Sequence, residues 1–397
     1  MSGSSAVFAR LLLVVVSCAL VAVAGEMVLR RLDPPRAVFY EPDAAALYRL
    51  RPGARARYHY PWLPPGEQVE VAVNSRGFRG PELPPHKVGR RVVVYGDSFV
   101  EARSTRIEDT FPARLQAALR GRAPGRLDVV NAGVSGYGPD QVLARLEGRA
   151  VDLEPDLVVL VLYAGNDFGD IVRDQLYRLD AAGRLERGAP VLAEPLRAAF
   201  EPPGGLRALA TVRVASRLWA ELTASRRAAA AKAAASTDAL LRECEREYAD
   251  ARDRPGRVTN LFRDHYDADV AARPRSDSAL YKRRLIAEVL AAAGRTTAYR
   301  SVPLVLVAVP AGSDVSEADP HRVDASRFPE YRPQALTDAV EEAASAARIP
   351  VVNLFGPFRA KSGSPLYHAI DGHWNAAAQA MAADLVADRI TAEGFLR

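Results

Sequence analysis

The run Val92-Val93-Val94-Tyr95-Gly96-Asp97-Ser98 is an apolar, β-branched segment that stops at a glycine, an acid and a serine. Such a run bounded by glycine reads as a buried parallel strand. Open α/β sheets place their chemistry at the C-terminal ends of such strands. Ser98 then falls in the first turn of the next element, read here as the helix with body Pro112 to Arg120. Backbone N–H groups in a first helical turn lack partners and favour negative charge. A hydroxyl in that place is a candidate nucleophile, although the same letters also make an ordinary strand-to-helix cap.

Three further segments bear on that choice. Asn131-Ala-Gly-Val-Ser-Gly136-Tyr-Gly138 follows the apolar run 127–130, and Gly165-Asn166-Asp167 follows the run 157–163. Asp371-Gly372-His373-Trp374-Asn375 stands near the C-terminus, before an alanine-rich helical stretch. Four such motifs in this order resemble the SGNH (GDSL-type) hydrolase family from about Arg91 to the C-terminus, interrupted by a large insertion.

Residue by residue, the resemblance implies Ser98 as nucleophile, His373 as general base and Asp371 as the acid that orients it. It implies an oxyanion hole from the Ser98 N–H, the Gly136 N–H and the Asn166 side-chain amide. No metal and no cofactor is implied. The chemistry is consistent: a serine hydroxyl is a poor nucleophile until a base takes its proton, and a carboxylate stabilises the imidazolium so formed. A tetrahedral oxyanion needs preorganised donors. One departure concerns the Asp–His spacing, where Gly372 alone intervenes instead of two residues. A similar spacing is a feature of the alginate O-acetylation proteins related to this family, which opens acyl transfer beside hydrolysis.

Rival readings of the same residues are weaker. His368 lies five positions before His373 without an acid at matching spacing, and reads as a loop residue. His59, His86, His265 and His321 are scattered and show no metal-ligand spacing. Ser135 sits in Gly-Val-Ser-Gly, but Tyr137 occupies the last position of a would-be nucleophile elbow. Asn166-Asp167 alone would be taken for a helix cap. Asn131 and Asp97 read as loop-holding residues, and Trp374 as packing for the histidine loop.

Composition narrows the function classes. The 397 residues are 49% hydrophobic, and 53 basic against 48 acidic residues leave a diluted net charge of +5. No dense basic stripe with interleaved aromatics argues for nucleic acid. Cys18 and Cys244 lie in segments too unlike to suggest a disulfide. Residues 11–24 are apolar but for Ser17 and Cys18, after Arg10 and before Glu26, Arg30 and Arg31. Three readings compete: an uncleaved signal anchor within residues 1–32, a signal peptide ending at Ala22-Val-Ala24, and a lipobox at Val15-Val-Ser-Cys18. The anchor is favoured, and all three export the rest of the chain to a periplasmic or extracellular location.

Residues 33–90 read as a small β-rich apron, with strand alternation from Gln68 to Val73 and the loop Asn74-Ser-Arg-Gly-Phe-Arg-Gly80. Apolar runs at 92–95, 127–130, 157–163, 303–309 and 350–354 alternate with helical stretches. The expected fold of residues 91–397 is therefore α/β, a flavodoxin-like doubly wound parallel sheet of about five strands. Residues 170–300 form an expected helical insertion, with Arg226-Arg-Ala-Ala-Ala-Ala-Lys-Ala-Ala-Ala235 at its middle. It reads as a solvated insertion, a lid, or a docking surface for an envelope protein partner. The expected function is a serine esterase acting on acyl or acetyl esters, of a small molecule or a polysaccharide. O-acyl transfer to an envelope polysaccharide and non-catalytic binding are the alternatives.

Overall fold

The computed structural model describes residues 3–32, 39–123, 125–148, 153–222, 237–262, 266–316, 319, 322–361 and 363–396. Two compact units are distinguished: Met1–Val38 with Glu201–Ala233, and Phe39–Phe200 with Ala234–Arg397.

The larger unit is built on five parallel strands: β1 (Arg90–Tyr95), β2 (Leu127–Asn131), β3 (Leu157–Tyr163), β4 (Leu304–Val309) and β5 (Val351–Asn353). Their order across the sheet is β5-β4-β3-β1-β2. That is the doubly wound order in which the chain reverses direction beside β1. Alternating residues feed two cores. Val93, Tyr95, Leu160, Leu162 and Leu306 face one, and Val92, Val94, Val159, Val161 and Val307 the other. Helices Phe111–Leu119 and Ala376–Glu393 cover the second face. Pro139–Glu147, Asp277–Tyr299, Ala335–Ala346 and the apron cover the first. Burial on both faces is why these strands read as continuous apolar runs.

The apron contains two antiparallel pairs, Tyr40–Asp43 with Leu47–Leu50 and Arg55–Tyr58 with Val69–Ala72. Residues 170–300 are not purely helical: they include the hairpin Tyr177–Leu179/Leu185–Arg187 and a short parallel pair, Val191–Leu192 with Arg257–Val258. The helix Asp277–Tyr299 within that stretch belongs to the sheet's own covering layer, since Leu285, Ile286, Val289 and Leu290 are fully buried against it. The alanine-rich composition conceals this, because alanine favours helices wherever they pack. Residues 226–235 lie outside the described residues.

In the smaller unit, Gly3–Leu32 is one helix, and its segment Val7–Leu32 is long and apolar enough to cross a membrane. Glu26 pairs with Arg30 and accepts the Ala210 and Thr211 N–H groups at 2.7 and 3.0 Å. Its carboxylate thereby satisfies N-terminal amides of the helix Ala210–Leu222.

Candidate active site

Ser98 does not open the helix that contains Pro112. It opens a separate single turn, Ser98–Glu101, which ends at Ala102 in the left-handed region at φ 52°. A single turn has almost no stability of its own, so tertiary donors hold it. The Asp97 carboxylate accepts the Phe99 N–H at 2.8 Å as its N-cap. The carbonyl of Ser98 accepts the Ala102 N–H. Trp374 Nε1 donates to the Phe99 carbonyl at 2.9 Å, and Asn131 Nδ2 to the Val100 carbonyl at 2.8 Å. Arg79 donates to the carbonyls of Glu101 and Ala102, and to that of Thr105 at 2.7 Å. Every carbonyl of the turn is thus satisfied, three of them from distant segments.

Those donors give roles to residues elsewhere in the chain. Arg79, from the Gly-Phe-Arg-Gly loop, is 3% exposed and keeps a carbonyl-rich cage. Burial pulls its pKa down, Glu101 opposes that, and the result, about 10, leaves it charged at neutral pH. Asn131 also accepts the Gly133 N–H at 3.1 Å, so both ends of its amide order the loop after β2.

The histidine loop approaches from the opposite end of the sequence. His373 Nε2 lies 2.9 Å from Ser98 Oγ. Asp371 Oδ2 lies 3.4 Å from His373 Nδ1, and Asp371 Oδ1 accepts the His373 backbone N–H at 3.2 Å. Gly372 has φ +72°, and this left-handed residue folds the acid alongside the ring two positions later. Burial pushes the half-buried Asp371 carboxyl up, but the His373 hydrogen bonds and charge, with His368, hold it below the usual carboxylate value. His368 stacks on Trp62 at 4.1 Å, and Trp62 on Tyr60 at 4.7 Å, so the apron's aromatics buttress this loop. Burial lowers the His368 pKa and nearby His373 adds to that, with Asp371 opposing.

Gly136 and Asn166 stand on the loops after β2 and β3, the strands on either side of β1. Gly136 has φ +77°, and a Cβ there would meet Tyr48 Oη at 2.9 Å and Phe262 Cδ1 at 3.0 Å. Glu101, three residues after Ser98 and fully buried, accepts the Ser135 N–H at 2.6 Å. Asn166 occupies the N-cap position of Asp167–Asp174, but its side chain does not cap that helix. The adjoining Asp167 carboxylate accepts the Tyr163 N–H at 2.8 Å. Asp267 donates its N–H to the Gly165 carbonyl and accepts the Gly169 N–H at 3.0 Å, bracing the Asn166 turn.

Behind that turn lies a cluster of metal-ligand type, Cys244, Asp267 and Asp269. Lys282 Nζ sits 2.9 Å from a carboxylate oxygen of each aspartate, and so provides the cation itself. This is a buried ion pair that positions backbone. Ser135, the rival serine, has its peptide groups engaged by Glu101 and Tyr48. His265 and His321 lie outside the described residues. Sequence reasoning missed Tyr48, Arg79 and Glu101. The signals present were the arginine in the 74–80 loop and the acid one turn after Ser98, neither of which specifies a partner.

Two family models and several solved structures are similar to this chain. Residues 94–270 match the model of the GDSL-like lipase/acylhydrolase family. Residues 254–397 match the SGNH hydrolase-like domain of the acetyltransferase AlgX. No curated protein matches the chain. Solved structures similar to it include a lipase/acylhydrolase from Enterococcus faecalis, at 13% identity, covering 77% of this chain and 96% of that one, TM-score 0.36. TesA is similar at 14% identity, with 76% and 98% covered and a TM-score of 0.37. A catalytic mutant of Axe2, an acetylxylan esterase from Geobacillus stearothermophilus, is similar at 13% identity, with 77% and 96% covered and a TM-score of 0.35. The two family matches overlap and together run from Val94 to Arg397, over the sheet, the serine turn and the histidine loop. Residues 94–397 thus carry a GDSL-like lipase/acylhydrolase domain match continued by an SGNH hydrolase-like one.

Proposed function

We propose that this chain is a serine esterase that works through an acyl-Ser98 intermediate and passes the acyl group to water. The observation that carries the proposal is the 2.9 Å contact of His373 Nε2 with Ser98 Oγ, with Asp371 on the ring's other nitrogen. In the first half-reaction Ser98 Oγ attacks the ester carbonyl and its proton passes to Nε2. The ester C–O bond then breaks, and the leaving alkoxide takes that proton. Water attacks the acyl-enzyme in the second half, giving its proton to Nε2, and Ser98 leaves and recovers it. The Ser98 N–H, the Gly136 N–H and the Asn166 amide are the proposed donors to the oxyanion.

A second reading, O-acyl transfer, replaces water by a polysaccharide hydroxyl. It is favoured by the AlgX-type match over residues 254–397 and by the single residue between Asp371 and His373. A non-catalytic binding role accounts for none of the Ser98–His373–Asp371 geometry. With Val7–Leu32 as an anchor, the chemistry would lie outside the cytoplasm.

The deciding experiment measures turnover of short-chain p-nitrophenyl esters with and without candidate glycans. Ser98→Ala should abolish turnover in a folded protein, and a serine-directed phosphonate should label Ser98. Near-wild-type turnover in that variant, or labelling at Ser135, would refute the assignment. Acceleration by a glycan, with acylated glycan as product, would select transfer over hydrolysis.

A further inference from the structure

We infer that Tyr48, from the apron strand Leu47–Leu50, is a positioning residue that aims the Gly136 N–H at the oxyanion. The inference rests on the acyl-Ser98 reading and extends it to a residue outside the family's four motifs. Tyr48 Oη donates to the Ser135 carbonyl at 2.8 Å. That carbonyl belongs to the peptide plane whose N–H is the Gly136 amide. No cis peptide bond occurs among the described residues. In a planar trans peptide the C=O and N–H point in opposite directions. Anchoring the Ser135 oxygen therefore fixes the direction of the Gly136 N–H.

The preceding peptide plane, that of Val134 and Ser135, is held as well. Glu101 Oε2 accepts the Ser135 N–H at 2.6 Å and the Tyr40 hydroxyl at 3.1 Å, while Arg103 Nε lies 3.2 Å from Oε1. Glu101 is one turn from Ser98, so the nucleophile and the loop of the proposed second donor share one support. Tyr48 itself is fixed. Its ring stacks on Phe200 and meets Tyr40, Tyr137 and Phe262 edge-on, at 5.1 to 5.6 Å. Tyr137, the residue after Gly136, returns a hydrogen bond from its hydroxyl to the Tyr48 carbonyl. A hydroxyl so immobilised costs no reorganisation when charge develops on the substrate.

The test uses the full chain, p-nitrophenyl acetate as substrate and phenylboronic acid as inhibitor. The tetrahedral boronate on Ser98 puts an oxygen where the oxyanion forms. Tyr48→Phe keeps the ring and removes the donor. Its kcat should fall about tenfold to hundredfold with KM unchanged, and the boronate inhibition constant should rise by a matching factor. Tyr177→Phe, which loses a 2.6 Å bond to Glu147, is the control and should leave both constants unchanged. A folded Tyr48→Phe with kcat and boronate affinity within twofold of wild type overturns the inference. If Tyr48→Phe does not fold, Tyr48→Met, which fills the ring's space without a donor, is read by the same two constants: a parallel loss supports the inference, and unchanged constants overturn it. Failure of the underlying reading looks different, because Ser98→Ala would then keep its turnover.

Discussion

The indole N–H of Trp374 donates to the carbonyl of Phe99 at 2.9 Å, which ties the residue after His373 to the residue after Ser98. Ser98 and His373, whose side chains meet, are 275 positions apart in sequence, yet each neighbours one end of this bond. Trp374 is buried against Phe111 and Phe99, so its ring packs while its N–H sets the register of the histidine loop. Trp374→Phe should therefore lower p-nitrophenyl acetate turnover about tenfold or more, beyond its effect on stability. Kinetics and a thermal melt on the same sample separate the two effects.

Asp371→Asn should leave the fold intact and cut turnover by roughly two to four powers of ten, since the imidazole loses its tautomer control and charge partner. His373→Ala should be at least as damaging, and the double variant little worse than either. The sign with pH comes from the depressed Asp371 carboxyl. Its stabilising contribution is complete above the ordinary carboxylate value of about 3.9 and is lost as pH falls through its depressed one. A loss of turnover below tenfold in Asp371→Asn would mean that His373 works with Ser98 as a dyad.

Two glycines with nearly the same φ separate strain from contact. Gly372→Ala meets nothing within 4 Å and carries only the strain of φ +72°, about 1–2 kcal/mol. Gly136→Ala carries equal strain at φ +77° and adds contacts of 2.9 Å with Tyr48 and 3.0 Å with Phe262. Denaturant melts should rank Gly136→Ala well below Gly372→Ala, and only Gly136→Ala should also displace the proposed oxyanion donor.

Arg79→Lys should destabilise by about 3 kcal/mol and lower turnover, because an ammonium on a shorter stem cannot serve three carbonyls in fixed directions. The companion Arg57→Lys, an exposed apron arginine 3.9 Å from Glu70, should be near neutral. Equal melting temperatures for wild type and Arg79→Lys would show that the serine turn holds without this clamp.

If the N-terminal helix is retained as an anchor, intact-mass and peptide mapping should recover residues 1–24 from the mature protein. The protein should also stay with membranes in high salt. A mature N-terminus at Gly25 would identify a cleaved signal, and lipid on Cys18 a lipoprotein.

Local sequence determined the strands, their parallel order of appearance and the strand-end placement of Ser98, Gly136 and Asn166. Each is written as an apolar run with its motif directly behind it, and parallel topology brings strand C-termini to one edge. Asp371 and His373 were legible for the same reason, since Gly372 folds one against the other within three residues. Only the tertiary structure decided what holds the serine turn. Ser98–Glu101 is too short to be stable alone, and its carbonyl partners come from Arg79, Asn131 and Trp374, 22, 31 and 275 positions from the residues they serve. Likewise nothing in Leu47-Tyr48-Arg49-Leu50 marks Tyr48 as more than a buried strand residue. Its hydroxyl acquires a partner only when the apron packs on the sheet, and hydrogen bonds between distant segments are fixed by that packing, which no local pattern encodes.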